Sequence, residues 1–577
     1  MAFLRNLLAT LLGLFIFTIL GFFMLVGVVA SASADEAPSV KTNSVLYFPM
    51  SGILEDKAVE DPFLTAFSDA PPAQSLLDII SAIKKAKTDD RIKGIYIEPM
   101  YMAGSYAGLQ EIRDVLLDFK ESGKFVYAYG EYISESDYYV VSVADSLFLN
   151  PTGSIEFNGM DVNITFLKGM FDKLDIEPQI FRVGDFKSYV EPYIRKDLSK
   201  ENRLQYTELL GSMYGTYLEN VSNSIQIPVK KLAEISDQMK ISLPQDAADV
   251  GLVHKIGYED ELKSVMKKKL GLKESKDLRI MKMNKYIQAT IKEGTYASNR
   301  IAVIVAEGDI VMGGDEGIVG SIFAKEIRKA RENDKVKAIV MRVNSGGGSM
   351  TASDMIWREL MLTKGKKPII ASMGGAAASG GYYIAMPADT IIAQPNTITG
   401  SIGIFGMWFN FGEFLENKIG ITHDVVKTGE YSDIYTVTRP LRNSERAIIQ
   451  RGVNEGYEVF TQKAADARGM TQSELKKIAS GRVWSGEQAL DNGLIDKLGS
   501  FNDAIELAAK AAGIENDYSV SYYPKEKPFV EEFLERMNAK VQFTLFGIDA
   551  DPVLKQVKQL NQLKGLQARL PGNLEVR

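Results

Sequence analysis

Cysteine is absent from this chain of 577 residues, which excludes disulfides, thiolate zinc sites, iron–sulfur clusters and cysteine nucleophiles. Histidine occurs only twice, as His254 and His423, so neither a three-histidine metal site nor an H-E-x-x-H zinc motif can form within one chain. A basic surplus is also lacking, since 67 Lys and Arg stand against 74 Asp and Glu and the formal net charge is -7. Nucleic acid is therefore a poor first candidate for a partner.

The strongest local signal in an otherwise globular composition is an uncharged apolar run from Leu7 to Ala30. As a helix it would be about 36 Å long, enough to cross the roughly 30 Å hydrocarbon core of a membrane. A cleavable signal peptide is the alternative because Ala32-Ser33-Ala34 is an A-x-A pattern, but the apolar core of a signal peptide is usually only about 7 to 15 residues long. Arg5 precedes the run and Asp35-Glu36 follow it, so we predict an uncleaved single-pass anchor with a cytoplasmic N-terminus.

The body of the chain repeats itself at an offset of 244 residues. The segment DDRIKGIYI at 89–97 is echoed by NDKVKAIVM at 333–341, and each is an acidic turn followed by an apolar run that suits a buried strand. The same or a similar offset aligns YYVVSVAD at 138–145 with YYIAMPAD at 382–389, T-G-S at 152–154 with T-G-S at 399–401, and GLVHKIG at 251–257 with GLIDKLG at 493–499. Because order and spacing are both kept, we predict two related halves.

In each half, strand-like runs alternate with helical patterns such as 75–87 and 324–333, which favours parallel strands joined by crossover helices. The predicted fold class is therefore α/β. The predicted domains are an N-terminal anchor and linker at 1–43, an N-terminal repeat at 44–297 that includes an inter-repeat linker at about 264–297, a C-terminal repeat at 298–515, and a C-terminal tail at 516–577.

The repeat also bears on the two histidines. His254 aligns with Asp496 of the second half, so we expect its position to be an exposed turn that accepts either residue. His423, in GITHDVV, has no accompanying acid pattern. A Ser-His-Asp triad is therefore improbable.

A glycine-rich loop, 344–349 (NSGGGS), directly follows the strand-like run AIVMRV in the second half. Backbone N–H groups of such a loop can face a ligand without obstruction by side chains, so the loop can hold an oxyanion or a phosphate. It does not match the phosphate loop G-x-x-x-x-G-K-[ST], because no Lys-Ser or Lys-Thr pair follows. A simple glycine turn is the alternative interpretation.

Ser379 stands among small residues in AAASGGYY, where there is room for a substrate backbone. Its first-half counterpart is Glu135, and the counterpart of the glycine loop is Met102-Ala103-Gly104, so only the second half can supply a nucleophile. With histidine disfavoured, the remaining common base is a lysine that burial keeps neutral. Lys187, in RVGDFKSYVEP of the first half, is such a candidate, and the aligned residue of the second half is Ser432.

Five motifs together are specific: NSGGGS, AASGGYY, TGSIGIFG at 399–406, GDFKSYVEP, and GRVWSG at 481–486. They resemble the signal peptide peptidase A family in its long, two-repeat form, which comprises membrane-bound Ser/Lys peptidases related to Clp protease and the crotonase-like fold. The resemblance covers nearly the whole chain. It implies two tandem Clp protease/crotonase-like repeats behind one transmembrane helix.

The family resemblance implies that Ser379 is the nucleophile, Lys187 the general base, and the backbone N–H groups of Gly380 and Gly347 the oxyanion hole. The loop often reads S-P-G-G in this family, whereas Gly346 occupies the proline position here. Either Gly347 or Gly348 could therefore point its N–H inward.

Ser401, in the second T-G-S turn, is a further candidate because its hydroxyl could accept a hydrogen bond from the lysine and orient it. An ordinary turn serine is the alternative, since Ser154 stands at the same place in the first half.

By resemblance, we expect a bacterial serine endopeptidase, anchored in the inner membrane with its body on the periplasmic face. Its expected substrates are signal-peptide remnants and other apolar peptides. The resemblance further implies a homotetramer and requires no metal, nucleotide or other cofactor. Two alternatives from other classes are a crotonase-like acyl-CoA enzyme, which would use similar backbone N–H groups, and a catalytically inactive membrane scaffold.

Overall fold

The computed structural model describes residues 2–33, 38–58, 73–292, 297–314, 317–525 and 566–570. Its first element is the helix α1 (Ala2–Ser33), in which the described side chains are those of residues 2–3, 5–18 and 20–21. Ala34, Asp35 and Glu36 of the sequence-based topology prediction lie outside the described residues. Among the residues that are described, no helix has both the length and the apolar character needed to cross a membrane. The membrane span therefore stays a prediction.

The first half is built on a parallel sheet. Its strands are β1 (Ser44–Glu55), β2 (Ala73–Ser75), β3 (Ile92–Ala103), β4 (Phe125–Ile133), β5 (Ser146–Ile155), β6 (Glu177–Arg182), β7 (Lys255–Ile256) and β8 (Arg279–Lys282). Its helices are α2 (Leu76–Thr88), α3 (Tyr106–Lys120), α4 (Glu135–Val141), α5 (Lys168–Leu174), α6 (Glu191–Ile194), α7 (Lys200–Ile225), α8 (Val229–Asp237), α9 (Pro244–Asp249), α10 (Glu259–Lys269) and α11 (Met283–Lys292). The sheet order is β2-β1-β3-β4-β5-β7, and β8 also pairs with β1. Of the strands described in this half, β6 alone lies outside this sheet.

The second half repeats the plan. Its strands are β9 (Asn299–Glu307), β10 (Ile310–Val311), β11 (Ile318–Val319), β12 (Val336–Ser345), β13 (Gly347–Ser349), β14 (Ile369–Ala378), β15 (Thr390–Ala393), β16 (Ile398–Gly400), β17 (Phe405–Asn410), β18 (Val483–Ser485), β19 (Lys497–Leu498), β20 (Tyr518–Tyr523) and β21 (Gln567–Arg569). Its helices are α12 (Gly320–Glu332), α13 (Met350–Thr363), α14 (Gly380–Ala385), α15 (Gly412–Phe414), α16 (Asn443–Arg468), α17 (Gln472–Ile478), α18 (Gly486–Asp491) and α19 (Phe501–Ala512). The main sheet has the order β18-β16-β14-β12-β9-β20, with β15 beside β14 and β19 beside β15.

A third sheet crosses the boundary between the halves, with the order β11-β10-β13-β21-β17-β6. Its last strand, β6, comes from the first half and pairs antiparallel with β17 of the second half. The chain that follows β6 is thereby held against the second half.

Equivalent hydrogen bonds occur in the two halves at offsets of 242 to 244 residues. The Asp145 carboxylate accepts the N–H of Val126 at the start of β4, and the Asp389 carboxylate accepts the equivalent N–H of Ile369 at the start of β14. Two buried tyrosines repeat in the same way, because Tyr138 Oη donates to the Leu252 carbonyl and Tyr382 Oη to that of Leu494. The α/β class and the parallel sheets are confirmed.

Two predicted segments contain secondary structure that pairs with the sheets. Residues 264–297, predicted as an inter-repeat linker, include β8, which pairs with β1, and α11, whose buried Tyr286 belongs to the first core. The predicted tail at 516–577 begins with β20, which forms a six-residue parallel ladder with β9. These segments therefore complete the two sheets.

A buried cluster of ion-paired side chains joins the two halves. Arg342 on β12 is fully buried, and its guanidinium reaches Asp56 at 2.7 and 3.0 Å and Glu111 on α3 at 2.7 Å. Both carboxylates belong to the first half. The bidentate contact between Arg342 and Asp56 restricts the orientation of the guanidinium as well as its distance from the carboxylate. It therefore restricts how the two halves pack against each other.

Candidate active site

Ser379 lies at the sharp turn between β14 and α14. Its backbone has φ 55° and ψ -112°, a conformation that non-glycine residues rarely adopt and that costs on the order of 1–3 kcal/mol. The turn is held by the Ser379 N–H, which donates to the Gly400 carbonyl at 2.8 Å. The neighbouring glycines are required sterically, because a Cβ on Gly381 would overlap the carbonyl of Ser345. The turn thus fixes a fully buried hydroxyl.

Lys187 reaches this hydroxyl from the first half. The β6–β17 pairing carries the chain across, and Phe186 N–H then donates to the Ser480 carbonyl at 3.1 Å. Gly481 leaves room for the lysine, because a Cβ there would lie 2.7 Å from the backbone of Lys187. Gly481 is the first residue of the GRVWSG motif, but the motif alone does not indicate this role.

The Lys187 Nζ atom has three oxygen partners: Ser379 Oγ at 2.8 Å, the Ser401 carbonyl at 3.0 Å and Ser401 Oγ at 3.0 Å. Burial lowers the pKa of this fully buried lysine well below its ordinary value. A neutral amine has two N–H groups and one lone pair. It can donate to the Ser401 carbonyl and hydroxyl while its lone pair faces the Ser379 O–H, so the arrangement suits proton abstraction from Ser379.

Ser401 differs from its first-half counterpart. Its φ is 49°, its side chain is fully buried, and its N–H donates to the Arg482 carbonyl at 2.7 Å, which fixes the turn under Lys187. Ser154, at the same place in the first half, is exposed. The lysine contact thus distinguishes Ser401 from the ordinary turn serine considered as the alternative.

The glycine loop lies beside Ser379. A Cβ on Gly347 would come within 2.7 Å of the Gly380 nitrogen, so the two predicted oxyanion-hole residues are neighbours. The Gly347 N–H donates to Ser345 Oγ at 3.1 Å, whereas Gly348 is paired in β register with Ala568. Both glycines have positive φ, at 103° and 155°. The loop can therefore present its backbone to a bound carbonyl group.

The same location in the first half carries no such chemistry. Glu135, the counterpart of Ser379, turns its carboxylate to the N–H groups of Asn158 and Gly159, each at 2.8 Å. The Asp137 carboxylate accepts hydrogen bonds from the N–H groups of Tyr101 and Met102 at 3.1 and 3.2 Å. These amides, at the first-half position equivalent to the glycine loop, are therefore already paired. Acidic side chains thus fill the first-half site.

Neither histidine is among the described hydrogen-bond partners of Ser379. His254 Nδ1 accepts the N–H of Leu147 at 3.0 Å, and the Asp496 carboxylate accepts the equivalent N–H of Ile391 at 2.7 Å. The position thus requires a hydrogen-bond acceptor, which is stricter than the tolerant turn we expected. His423 is exposed, in a stretch where residues 420–432 are all exposed.

The feature that sequence reasoning missed is β21. It lies between β13 and β17, antiparallel to both, and pairs directly with the glycine loop. Its segment, LQARL at 566–570, alternates apolar and polar residues, which is the pattern of a strand.

The protein-family comparison decides the assignment. The sequence model described as Peptidase family S49 matches residues 118–273 and 361–515, one stretch in each half. The chain belongs to peptidase family S49. A second model, described as Clp protease, matches residues 292–399, which contain the glycine loop and Ser379.

Two curated relatives of this S49 peptidase match most of its length, and a third matches a part of it. "Protease 4" of Salmonella typhi is 36% identical over 87% of this chain and 83% of its own. "Serine protease SPPA, chloroplastic" of Arabidopsis thaliana is 32% identical over 92% and 78%. "Putative signal peptide peptidase SppA" of Enterococcus faecium is 30% identical over 45% and 77%. Among solved structures, a mutant of ClpP1 from Listeria monocytogenes covers 35% of this chain and 94% of its own, with 16% identity and a TM-score of 0.24. The family model and the curated relatives together show that the S49 peptidase is a serine protease, as the sequence predicts.

Proposed function

We propose that this S49 peptidase cleaves peptide bonds by an acyl-enzyme route with Ser379 as nucleophile and Lys187 as general base. The observation that carries the proposal is the 2.8 Å contact between Ser379 Oγ and the buried Lys187 Nζ. Nζ takes the hydroxyl proton as Oγ attacks the carbonyl carbon, and it returns that proton to the leaving amine. Water then attacks the ester, again with Nζ as base, and releases the acid. Ser401 orients the amine through its carbonyl and hydroxyl groups.

The oxyanion of each tetrahedral intermediate would be stabilised by the N–H of Gly380 together with the glycine loop at Gly347 or Gly348. Removing one donor of such a hole costs about 2.7–4 kcal/mol in other serine proteases, so two donors are a major part of catalysis. The proximity of Gly347 to the Gly380 nitrogen supports this assignment. For the family donor Gly347 to serve, its N–H has to turn from Ser345 Oγ towards the oxyanion.

Labelling with a serine-reactive fluorophosphonate tests the assignment. The wild-type chain should be labelled at Ser379, whereas Ser379→Ala should be unlabelled and inactive towards a short soluble peptide. Lys187→Met should lose at least about a thousandfold in kcat/KM, because the nucleophile loses its base. His423→Asn is the matched control and should keep full activity. A labelled or active Ser379→Ala variant would remove Ser379 from the mechanism.

We propose further that α1 anchors the chain in a bacterial inner membrane, with its N-terminus in the cytoplasm and its body in the periplasm. The uncharged run from Leu7 to Ala30 and the basic Arg5 before it support this topology. The proposed substrates are apolar signal-peptide remnants, which would leave the bilayer close to an anchored site. The name of the Enterococcus faecium relative supports this substrate class.

Deleting residues 1–43 tests the anchor. The truncated enzyme should hydrolyse a soluble peptide at a near-normal rate, because Ser379, Lys187 and the glycine loop lie beyond the deletion. Its activity on membrane-embedded peptides should fall much more, since the anchor supplies local concentration. Equal losses on both substrates would contradict a tethering role. A mature N-terminus at Asp35 would show that the segment is a cleaved signal peptide.

We also propose that the chain assembles as a homotetramer. Supporting this are large apolar side chains that are exposed along one stretch of the second half: Ile419, Ile421, Val425, Val426, Tyr431, Tyr435 and Val437. Such a concentration is unusual on a monomer surface. Light scattering of the solubilised protein should give four times the 63.8 kDa chain mass. A monomer would refute the assembly.

A further inference from the structure

A buried glutamine lies behind the loop that carries Lys187. Gln205 belongs to α7 and is only 1% exposed. Its amide nitrogen Nε2 donates to Ser188 Oγ at 2.8 Å and to the Phe186 carbonyl at 3.3 Å. One side chain therefore contacts the residues on both sides of Lys187 and holds the stretch of backbone to which the base is attached.

The other end of the same amide reaches the strand that supports Ser401. Gln205 Oε1 accepts the N–H of Val483, the first residue of β18, at 3.3 Å. The carbonyl of the preceding residue, Arg482, accepts the N–H of Ser401 at 2.7 Å. Because Lys187 Nζ contacts both the carbonyl and Oγ of Ser401, Gln205 connects the loop of the base with the turn that orients it.

Two further buried residues determine which way the Gln205 amide points. Asn202 Nδ2 donates to Glu191 Oε2 at 2.9 Å, and Asn202 Oδ1 accepts from Gln205 Nε2 at 2.8 Å. A carboxylate oxygen only accepts hydrogen bonds, and a backbone N–H only donates them. The chain of contacts from Glu191 to the Val483 N–H therefore has an obligate acceptor at one end and an obligate donor at the other. Both amides between these ends have one allowed orientation.

Two ion pairs also flank this loop, but they are more exposed than the amides. Arg182 Nη1 lies 3.9 Å from Glu191 Oε1, and Arg482 pairs with Glu208 of α7. The side chains of Arg182 and Glu208 are 34% and 43% exposed, so water screens both pairs. Buried amide hydrogen bonds are not screened in this way, and a buried amide that loses its partner is costly. The amide chain is therefore the stronger restraint on the loop.

We propose that Gln205 is a positioning residue for the general base, which keeps Lys187 Nζ aligned with Ser379 Oγ by joining the loop 186–188 to β18. The proposal rests on the proposed Ser/Lys mechanism. The three described partners of Nζ are atoms of Ser379 and Ser401, so Gln205 acts on the base through the backbone. Such an indirect effect can be large, because a misplacement of about 1 Å in an active site can cost about a hundredfold in rate.

Gln205→Met tests the proposal, because methionine has a similar length and no polar amide. For a short soluble peptide, kcat should fall at least about tenfold while KM stays nearly unchanged, since the side chain acts on the base and not on the substrate. The midpoint of kcat/KM against pH should move to higher pH, because a loosened lysine is less well buried and its pKa rises towards the ordinary value. Fluorophosphonate labelling of Ser379 should slow by a similar factor, and this readout involves no peptide.

Gln205→Glu separates the polarity of the side chain from its shape. A carboxylate fills the same space and still accepts the Val483 N–H, but it cannot donate to Asn202 or Ser188. Its negative charge also favours the protonated form of Lys187. We expect kcat to fall at least as far as in Gln205→Met and the pH midpoint to move further up. This variant supplies the same readouts if methionine prevents folding.

Gln110→Met is the matched control. Gln110 is a buried glutamine on α3, and its amide contacts Asp114 at 2.7 Å and Asn220 at 2.8 Å. The substitution therefore removes a comparable set of buried hydrogen bonds at a different place in the same half. It should lower the melting temperature about as much as Gln205→Met but leave the pH midpoint and the labelling rate unchanged.

Wild-type activity in Gln205→Glu would overturn the proposal. A lower melting temperature in Gln205→Met with an unchanged pH midpoint and labelling rate would overturn it as well, because it would show a purely structural role. These results leave the catalytic assignment intact as long as Lys187→Met and Ser379→Ala are inactive. Conversely, an active Lys187→Met variant would refute the catalytic assignment, whatever the Gln205 variants do.

Discussion

Replacing Lys187 with methionine should abolish activity and yet make the protein more stable at neutral pH. A lysine in an unfolded chain is protonated at pH 7, with a pKa near 10.4. Burial lowers the pKa of Lys187 well below that value in the folded protein. Folding at pH 7 must therefore either remove a proton or bury a charge, and methionine, of similar length and apolar, requires neither.

The magnitude follows from linkage and from the contacts. Removing the proton at pH 7 costs at most about 4.6 kcal/mol, because each pH unit below the unfolded pKa is worth about 1.4 kcal/mol. Methionine gives up three oxygen contacts of Nζ, each worth about 1 kcal/mol. The free energy of unfolding of Lys187→Met should then exceed that of wild type by about 1–2 kcal/mol, a rise in melting temperature on the order of 2 °C.

The pH dependence has a definite sign. Between the lowered folded pKa and the unfolded pKa, only the unfolded lysine binds a proton, so wild-type stability rises with pH. The advantage of Lys187→Met should therefore shrink by about 1.4 kcal/mol per pH unit in that window and be lost at about pH 8, roughly one unit above neutrality. Wild-type kcat/KM should rise with pH through the same folded pKa, since the neutral amine is the active form.

Differential scanning fluorimetry and peptide hydrolysis, both followed from pH 5 to 10, measure the two quantities on the same preparations. The pH at which the stability difference begins to shrink should coincide with the midpoint of kcat/KM. Lys196→Met, at an exposed lysine, is the matched control and should show no pH-dependent difference. A less stable Lys187→Met variant at pH 7, or an activity midpoint near pH 10, would refute the reasoning.

Three further predictions concern other parts of the fold. Gly481→Ala should lower kcat/KM at least about tenfold, because φ of Gly481 is 79° and a Cβ there would press on Lys187. Gly469→Ala, at a glycine with a φ of 64° and open space around it, is the control and should keep full activity. Arg342→Met should lower the free energy of unfolding by about 3–5 kcal/mol in thermal or denaturant unfolding, because it leaves the Asp56 and Glu111 carboxylates buried without their partner; a neutral result would show that solvent reaches the cluster. His254→Leu should cost about 1–3 kcal/mol, because the Leu147 N–H loses its acceptor, whereas His254→Asp should be nearly neutral in the same measurement; equal losses would contradict the equivalence with Asp496.

Local patterns predicted most of the architecture. The apolar runs at 89–97 and 333–341 are the strands β3 and β12, and the helical pattern at 75–87 is α2, because these elements are specified by burial within one segment. The contact between Lys187 and Ser379 could be anticipated because each half lacks the partner that the other keeps. Whether the two residues meet within one chain could not be inferred, since that depends on the long-range β6–β17 pairing.

The features that local patterns did not predict have a common physical origin. Residues 264–297 resemble a linker because they are rich in lysine, yet their first residues belong to α10, one face of which is buried through Leu262 and Met266. The helical spacing of the apolar residues in α10 is a weaker signal in the sequence than the many lysines around them. β21 has the alternation of a strand, but five residues do not specify a partner strand. Pairing between distant segments is decided by tertiary packing, which composition does not record.

The proposed catalytic pair is divided between the two halves. Peptidase activity therefore depends on how the halves pack against each other. Lys187 and Ser379 meet only if the crossing sheet and the buried Arg342 cluster are both assembled. If the chain is divided within residues 293–296, between α11 and β9, neither polypeptide contains both Lys187 and Ser379, so activity requires their association. Peptidase activity of the divided protein would therefore measure the association of its two halves.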